Sequence, residues 1–525
     1  MENSKKIKNG KWKTGNKSVS TIRVKCCRFF VSIALVFTFA FYLLPFALRV
    51  SAQEQPPAPS APKAVTVPAV KAKKLPNGLT VAVAERKNVP LVTVQLLIKR
   101  GAAAEEIEKA GLANMTADLL TKGTKTRTAT QIAEQLEFLG GSINTGADWN
   151  KSVVTINVMS DKLDQAMAIM ADVVLNPAFK QDEIDLLKSQ TLDGLAYNLK
   201  QPGFLTNYVA SKYSFNEHPA GGTVNSINSI NRDDIVNFRQ ESYVPNNAVL
   251  IFTGNISSAK AETSARKFFT NWKNPIGKSV GIANSATTEK TSNSTKTGVN
   301  RILVVDLPNS GQSSVSYTKT IGEGRTDCVE LNKCATDKIY FPANVFNSIL
   351  GGGYSSRLNQ EIRIKRGLSY GAGSSFAWRS GKNNFATRTQ TKDVSAAEVA
   401  ELVLAEVKNL GASLAAAGEL VSRKSVLTGN FGRNLETNEG LASAIADLYS
   451  FDLPTSELNS YTKRVQSVSD AQIRDFAGNN LFGGDIIIVG DYAKFKDDLA
   501  KRFPNMQVEV VKADELDLSK DNLRK

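Results

Sequence analysis

Histidine is nearly missing from this chain: among 525 residues only His218 carries an imidazole. One imidazole cannot form a histidine pair around a metal, and any His-based nucleophilic centre would have to be built on His218 alone. That residue stands in a turn before Pro219 and reads as a surface or packing side chain. Cysteine is scarce as well, with four. Cys26 and Cys27 precede an apolar run near the N-terminus. Cys328 and Cys334 lie in a polar insertion, where an oxidising compartment would let them close a small disulfide loop or leave them as free thiols. Two thiols are too few for a structural zinc site. The glycines Gly351 to Gly353 lack the GK[ST] ending of a phosphate loop and follow a helical pattern, whereas such a loop follows a strand.

What is present is a globular composition, 42% hydrophobic and 22% charged. The formal charge of +15 divides unevenly. Residues 1–52 hold ten Lys or Arg against Glu2, which makes +9 and leaves +6 for the rest. That remainder is an ordinary basic surface and gives no reason to expect nucleic acid. After the basic segment, Phe29 to Leu48 is a mostly apolar run long enough to span a bilayer, followed by Val50-Ser51-Ala52. The pattern predicts a signal cleaved after Ala52, or an uncleaved anchor through residues 29–48 in the inner membrane. Either way the basic flank stays cytoplasmic and the remainder is exported, periplasmic or extracellular, touching membrane only through this segment.

The length predicts two domains of about 200 residues. A Pro/Ala-rich tether covers 53–72, a first domain 73–272, a Ser/Thr/Asn-rich linker 273–300, a second domain 301–511, and a charged, loosely held tail 512–525. In the first domain, Asn77-Gly78 marks a hairpin and Ser142 to Met159 holds two strands. Helices are expected over Ala110–Thr121, Thr128–Leu139, Asp161–Leu175, Lys180–Leu199 and Arg232–Ser242, with a closing strand over Asn247–Thr253. The fold class is therefore α+β, an antiparallel sheet backed by helices. The ending NNAVLIFTGN is echoed by GGDIIIVGDY with Gly254 matching Gly490, so the second domain repeats the first.

The organising stretch is Gly351 to Trp378. Ser355 or Ser356 can cap a helix whose Leu358 and Ile362 share a face, and Gly367 closes it. From Ser369 the pattern turns to period two, placing Tyr370, Ala372, Ser374, Phe376 and Trp378 on one side of a strand. GGGYSSRLNQEIRIKRGLSYG resembles the C-terminal-half signature of the pitrilysin and insulinase (M16) family of zinc peptidases, in its short bacterial form related to mitochondrial processing peptidase. The resemblance extends over nearly all of Leu75 to Asn505, through LPNGLTV, the NPAF and EHP turns and YVPNNAVLIFTGN. It implies that Arg363 and Tyr370 grip the substrate backbone and the developing oxyanion, where donors aimed at a peptide carbonyl lower the barrier most.

In active members of that family a helix carries HxxEH, two zinc-binding imidazoles with the catalytic Glu between them. The positions that correspond here are Asn114, Ala117 and Asp118, and the third ligand position falls at Gly194, beside Asp193. The resemblance thus implies an M16 form that has lost its zinc site, binds no metal itself and is inactive alone. Two readings follow. In one, the chain supplies Arg363 and Tyr370 to a heterodimeric peptidase whose HxxEH-bearing subunit holds the zinc. In the other, it is a stand-alone peptide-binding or assembly pseudoenzyme, with Ser142 to Met159 offering an edge strand to an extended peptide. An unrelated hydrolase would need His218 as its base.

Overall fold

The computed structural model describes residues 66–275, 299–322, 325, 335–413 and 417–525. The apolar run 29–48, the site at Ala52, most of the tether and of the linker, and Cys328 and Cys334 lie outside the described residues.

Gly78 holds φ at +100°, a left-handed turn position, and a Cβ there would sit 2.0 Å from Asn246 Oδ1. It reverses the chain so that β1 (Val70–Lys74) pairs antiparallel with β2 (Thr80–Glu85). Val70 to Ala72, given to the tether on composition, thus belong to a strand. With β3 (Leu91–Ile98), β4 (Ser142–Ala147), β5 (Ser152–Met159) and β6 (Ala248–Gly254) they form a six-stranded sheet ordered β1-β2-β6-β3-β5-β4. A second six-stranded sheet is built from β7 (Val299–Asp306), β8 (Gln312–Ile321), β9 (Ala372–Ala377), β10 (Asn383–Lys392), β11 (Gly484–Gly490) and β12 (Val508–Lys512), ordered β12-β7-β11-β8-β10-β9.

The fold is α+β, as the pattern predicts, but each sheet is mixed. β6 returns parallel to β2, and β11 parallel to β7, because a strand reached through several helices inserts beside the first strand in the same direction. The two sheets differ at one edge: β1 comes from an antiparallel hairpin, whereas β12 arrives from the C-terminus and runs parallel to β7.

The helices of the first half are α1 (Leu112–Leu119), α2 (Ala129–Phe138), α3 (Leu163–Leu175), α4 (Gln181–Asn198), α5 (Pro202–Tyr213), α6 (Val224–Ser229), α7 (Arg232–Ser242) and α8 (Ser258–Phe269). Those of the second half are α9 (Ala335–Leu350), α10 (Ala396–Ala412), α11 (Ala417–Glu436), α12 (Asn438–Ser450), α13 (Glu457–Ser467), α14 (Asp470–Asn480) and α15 (Lys496–Arg502). Local chemistry sets several ends. Thr128 accepts a hydrogen bond from the Gln131 N–H while Gln131 accepts from the Thr128 N–H, a capping box that starts α2.

Both faces of the central strands are buried, which is why β6 and β11 carry the apolar runs Ala248–Phe252 and Ile486–Val489. Along β6, Leu250 and Phe252 face the first half's own helices, while Val249 and Ile251 meet Leu441, Ala442, Ile445 and Leu448 of α12. Along β11, Ile486 and Ile488 face the second half's own helices, while Ile487 and Val489 meet Leu205, Tyr208 and Val209 of α5. Each half therefore lends one helix to the other half's sheet. The pairs Pro202 and Asn438, and Gly254 and Gly490, are separated by the same 236 positions, the offset of the duplication.

The tail is not loose. Leu518 and Leu523 are buried with α5 and β12, and Arg524 donates to the Val510 carbonyl oxygen at 2.7 Å. Its charges sit outward while its leucines close the open side of that cluster, so composition alone misleads. Among the described residues no helix is long and apolar enough to cross a membrane.

Candidate functional site

The helix that carries Asn114, Ala117 and Asp118 begins without a side-chain cap of its own, at Gly111 with φ +96°. A Cβ on Gly111 would lie 2.7 Å from Ile227 Cδ1, so only glycine fits this entry. The free N–H groups of the first turn are served from a distance. Glu105 Oε2 accepts from the Gly111 N–H at 2.9 Å, and Oε1 accepts from the Ala113 N–H. The Glu105 side chain has no exposed surface. Burial pushes its carboxyl up to about 8, against the pull of those two N–H groups.

His218 meets this carboxyl. Its Nε2 lies 3.1 Å from the Ala102 carbonyl oxygen, while Nδ1 faces the Pro219 carbonyl oxygen at 3.4 Å and Glu105 Oε2 at 3.8 Å. The ring packs on Trp149 with centroids 4.9 Å apart, and burial holds its pKa below the ordinary range. His218 is thus the packing residue its turn suggests.

The positions that correspond to the zinc motif are close to one another without forming a donor set. Asn114 donates its amide to the Ala220 carbonyl oxygen at 2.8 Å, and Ala117 is fully buried. Asp118 is solvent-exposed, and the protein mass around its carboxyl raises its pKa while Lys122 opposes the shift. α1 packs on α4, where Gly194 has open space in place of a side chain. A zinc ion needs three or four N, S or O⁻ donors. An amide already committed as a donor, a methyl, one carboxylate and a glycine do not fit it. Among the described residues no three His, Cys, Asp or Glu converge as a metal site.

Gly194 and His218 border a cavity of about 530 Å³ between the halves. α4 and α5 form one wall, with Phe204 and Tyr208 stacked at 5.6 Å; β9 and β10 supply Ser375, Ala377, Asn384 and Ala386. The charged groups here are tied together. Arg379 pairs with Glu217 at 3.0 Å and covers the Trp149 ring at 4.3 Å, and Asn384 donates to Glu217 at 2.9 Å. Burial raises Glu217, with Arg379 pulling it back down. The cluster holds the two halves together and shapes a largely apolar pocket.

A second cavity, about 590 Å³, opens on the same sheet face, and Asn207 of α5 borders both. Tyr370 lines it, 90% exposed, in the loop before β9. Arg363 is placed differently. The expected helix is a π-helix over Asn359–Lys365, and Arg363 lies half-buried with its guanidinium 5.0 Å from the Tyr354 ring centroid. Arg363 lines neither of these cavities. The end of that helix is as read: Gly367, φ +64°, donates to the Arg363 carbonyl oxygen, and Leu368 donates to that of Ile362. The strand begins later than read, so Tyr370 is off the buried row of Ala372 and Ser374.

Three contributors escape the sequence reading. Trp149 and Arg379 carry no motif and meet only through the fold. Asn359, nearly fully buried, accepts from the Ala372 N–H at 3.3 Å and donates to the Tyr354 carbonyl oxygen, fixing the turn under Arg363. Gly367 to Gly371 also carries the GxSxG spacing of a nucleophile elbow, which the reading passed over. It follows a helix and precedes a strand, the reverse of an elbow, and Ser369 Oγ is engaged with the Gly371 carbonyl oxygen at 2.7 Å.

Family comparison agrees with this architecture. Residues 80–219 match the insulinase (peptidase family M16) domain, and residues 229–424 match the peptidase M16 inactive domain. A Rickettsia bellii protein described as an uncharacterized zinc protease is 30% identical over 308 residues, 57% of this chain and 68% of that one. A peptidase M16 inactive domain from Pseudomonas fluorescens superposes with TM-score 0.69 at 22% identity, covering 80% of this chain and 98% of that one. A protease from Helicobacter pylori gives 0.71 at 20%, covering 81% and 100%. Two duplicated α+β halves facing each other across a cavity, together with these matches, make the chain a member of peptidase family M16.

Proposed function

We propose that this chain is a non-catalytic M16 subunit that binds peptide between its halves and supplies Arg363 and Tyr370 to a heterodimeric zinc peptidase. One observation carries the reading: Tyr370 lines the second cavity, at the end of the turn that follows the Arg363 helix, while Asn114, Ala117, Asp118 and Gly194 do not fit a zinc ion. The partner is an HxxEH-bearing M16 subunit, which holds the zinc and activates water. An exported location, after cleavage at Ala52 or on an anchor through 29–48, belongs to the same proposal.

Peptide binding alone is the second reading, favoured by β4. It ends its sheet, so one side of its backbone is free to pair with an extended peptide. The test is reconstitution with an M16 subunit encoded beside this chain. The expected result is peptide cleavage by the pair and none by this chain with added Zn²⁺. Arg363→Ala and Tyr370→Phe each lower kcat/KM of the pair about 100-fold, the scale of a lost oxyanion donor. Undiminished cleavage by both variants removes the assigned roles; peptide binding with no activating partner supports the second reading.

A further inference from the structure

The second cavity has a charge pattern that the first lacks. Its lining includes Arg388 and Lys392 and contains no Asp or Glu. Both cations are exposed, and neither has a carboxylate partner among the described residues, whereas Arg357 and Arg366 nearby are paired with Glu419 and Glu361. The nearest acid in sequence, Asp393, is buried and occupied by Ser313 at 2.8 Å and Lys494 at 3.4 Å. Two unneutralised cations in a concave site with no opposing carboxylate attract an anion.

The backbone adds to this field. α5 starts at the cavity: Gly203, its second residue, lines the wall, and no side chain caps the helix. A Cβ on Gly203 would come 2.7 Å from Gln390 Nε2, so the helix start is seated on β10 between Arg388 and Lys392. The positive end of a twelve-residue helix therefore joins the two side chains.

Position supplies the class of anion. Asn384 and Ala386 on β10 line the first cavity; Arg388, Gln390 and Lys392, at the same alternation, line the second. At about 3.4 Å per residue Asn384 and Lys392 stand roughly 27 Å apart, so both cavities fall within the span of an extended peptide of about eight residues. We infer that the second cavity is a carboxylate site, in which Arg388 forks onto a carboxylate near one end of a bound peptide and Lys392 adds a second positive charge from the same strand face. An Arg fork matches a carboxylate bidentately, and Tyr370 borders the same space. The inference rests on the proposed peptide-binding role. A free C-terminal carboxylate and an acidic side chain share the chemistry.

Fluorescence polarisation on the full chain separates them. Three labelled octapeptides with no other acidic residue are used: one with a free C-terminus, one amidated, and one amidated with a single terminal Glu. The expected result is that at least one carboxylate peptide binds tenfold or more tighter than the neutral one. The source is read from which peptide has the advantage. Arg388→Gln abolishes it, Arg388→Lys restores part, Lys392→Gln reduces it and steepens no salt dependence, and neutral-peptide binding is unchanged. Equal binding of all three peptides, or an advantage that survives Arg388→Gln with Lys392→Gln, overturns the carboxylate site and leaves the peptide role standing. Acetylglycine, followed by saturation-transfer NMR, covers the remaining outcomes. If it contacts wild type but not Arg388→Gln while no peptide binds, the anion site stands and the peptide role falls; if neither probe binds, both fall.

Discussion

Glu105 and His218 meet with 3.8 Å between Oε2 and Nδ1, at the start of the helix that carries Asn114, Ala117 and Asp118. Neither residue contributes to a metal site here. The carboxylate caps the helix, and the imidazole braces the carboxylate against Trp149 and the Ala102 carbonyl.

This pair makes stability depend on pH. The Glu105 carboxyl titrates near 8 in the folded chain, against an ordinary 4.5, so folding takes up a proton between those values. Its contribution is complete below about pH 4.5 and is lost as pH rises through about 8. His218 works in the opposite sense, contributing above about pH 6.5 and losing that contribution on acidification. Glu105→Gln removes the first effect and keeps the second. Stabilities from urea unfolding between pH 5 and 9 are expected to draw together toward pH 5 and to favour the variant by roughly 4 kcal/mol at pH 9. Parallel profiles would reject the assignment.

The exchanged helices couple the halves. Ile445 of α12 is fully buried against the first half's sheet, so Ile445→Ala costs about 3 kcal/mol. Because the loss falls at the junction, unfolding reported by Trp149 and Trp272 in the first half and by Trp378 in the second shifts together. A shift confined to the Trp378 signal would mean that α12 does not support the first sheet.

Installing metal-binding donors should create a zinc site. Asn114 and Asp118 are four apart on one helix, and Gly194 has room for a side chain. The variant Asn114→His, Asp118→His, Gly194→Glu is expected to retain about one zinc per chain in equilibrium dialysis at micromolar zinc, with wild type retaining none. Zinc retained equally by wild type would show that the lost donors are not what prevents binding.

The C-terminal tail is structural. Leu523 is 1% exposed beside α5 and β12, so Leu523→Asp places a carboxylate in an apolar cluster and costs about 3 kcal/mol. Proteolysis at the tail and a lowered Tm are the readouts; an unchanged Tm would return the segment to the status its composition suggests.

Much of the first half was legible. α7 runs over the predicted Arg232–Ser242, and α2 starts at its Thr128 cap, because capping and periodicity act within a few residues. α5 was missed: its Leu205, Tyr208 and Val209 face a sheet made by residues about 100 or more positions later, and no local pattern names that partner. The site divides the same way. The Arg363–Tyr370 spacing was visible, but the π-helix that turns Arg363 toward Tyr354, and the late start of β9 that frees Tyr370, depend on Asn359 bonding across the turn.

The sequence by itself determined the duplication, the α+β class and the presence of a single imidazole, since these are set by residue identity and short-range periodicity. Only the tertiary structure decided that each half lends a helix to the other, that Trp149, Glu217 and Arg379 lock across the cavity, and that Arg388 and Lys392 stand unneutralised beside the start of α5. Those relationships join residues far apart in the chain. They arise from burying both faces of the central strands in two sheets at once, which no window of neighbouring residues encodes.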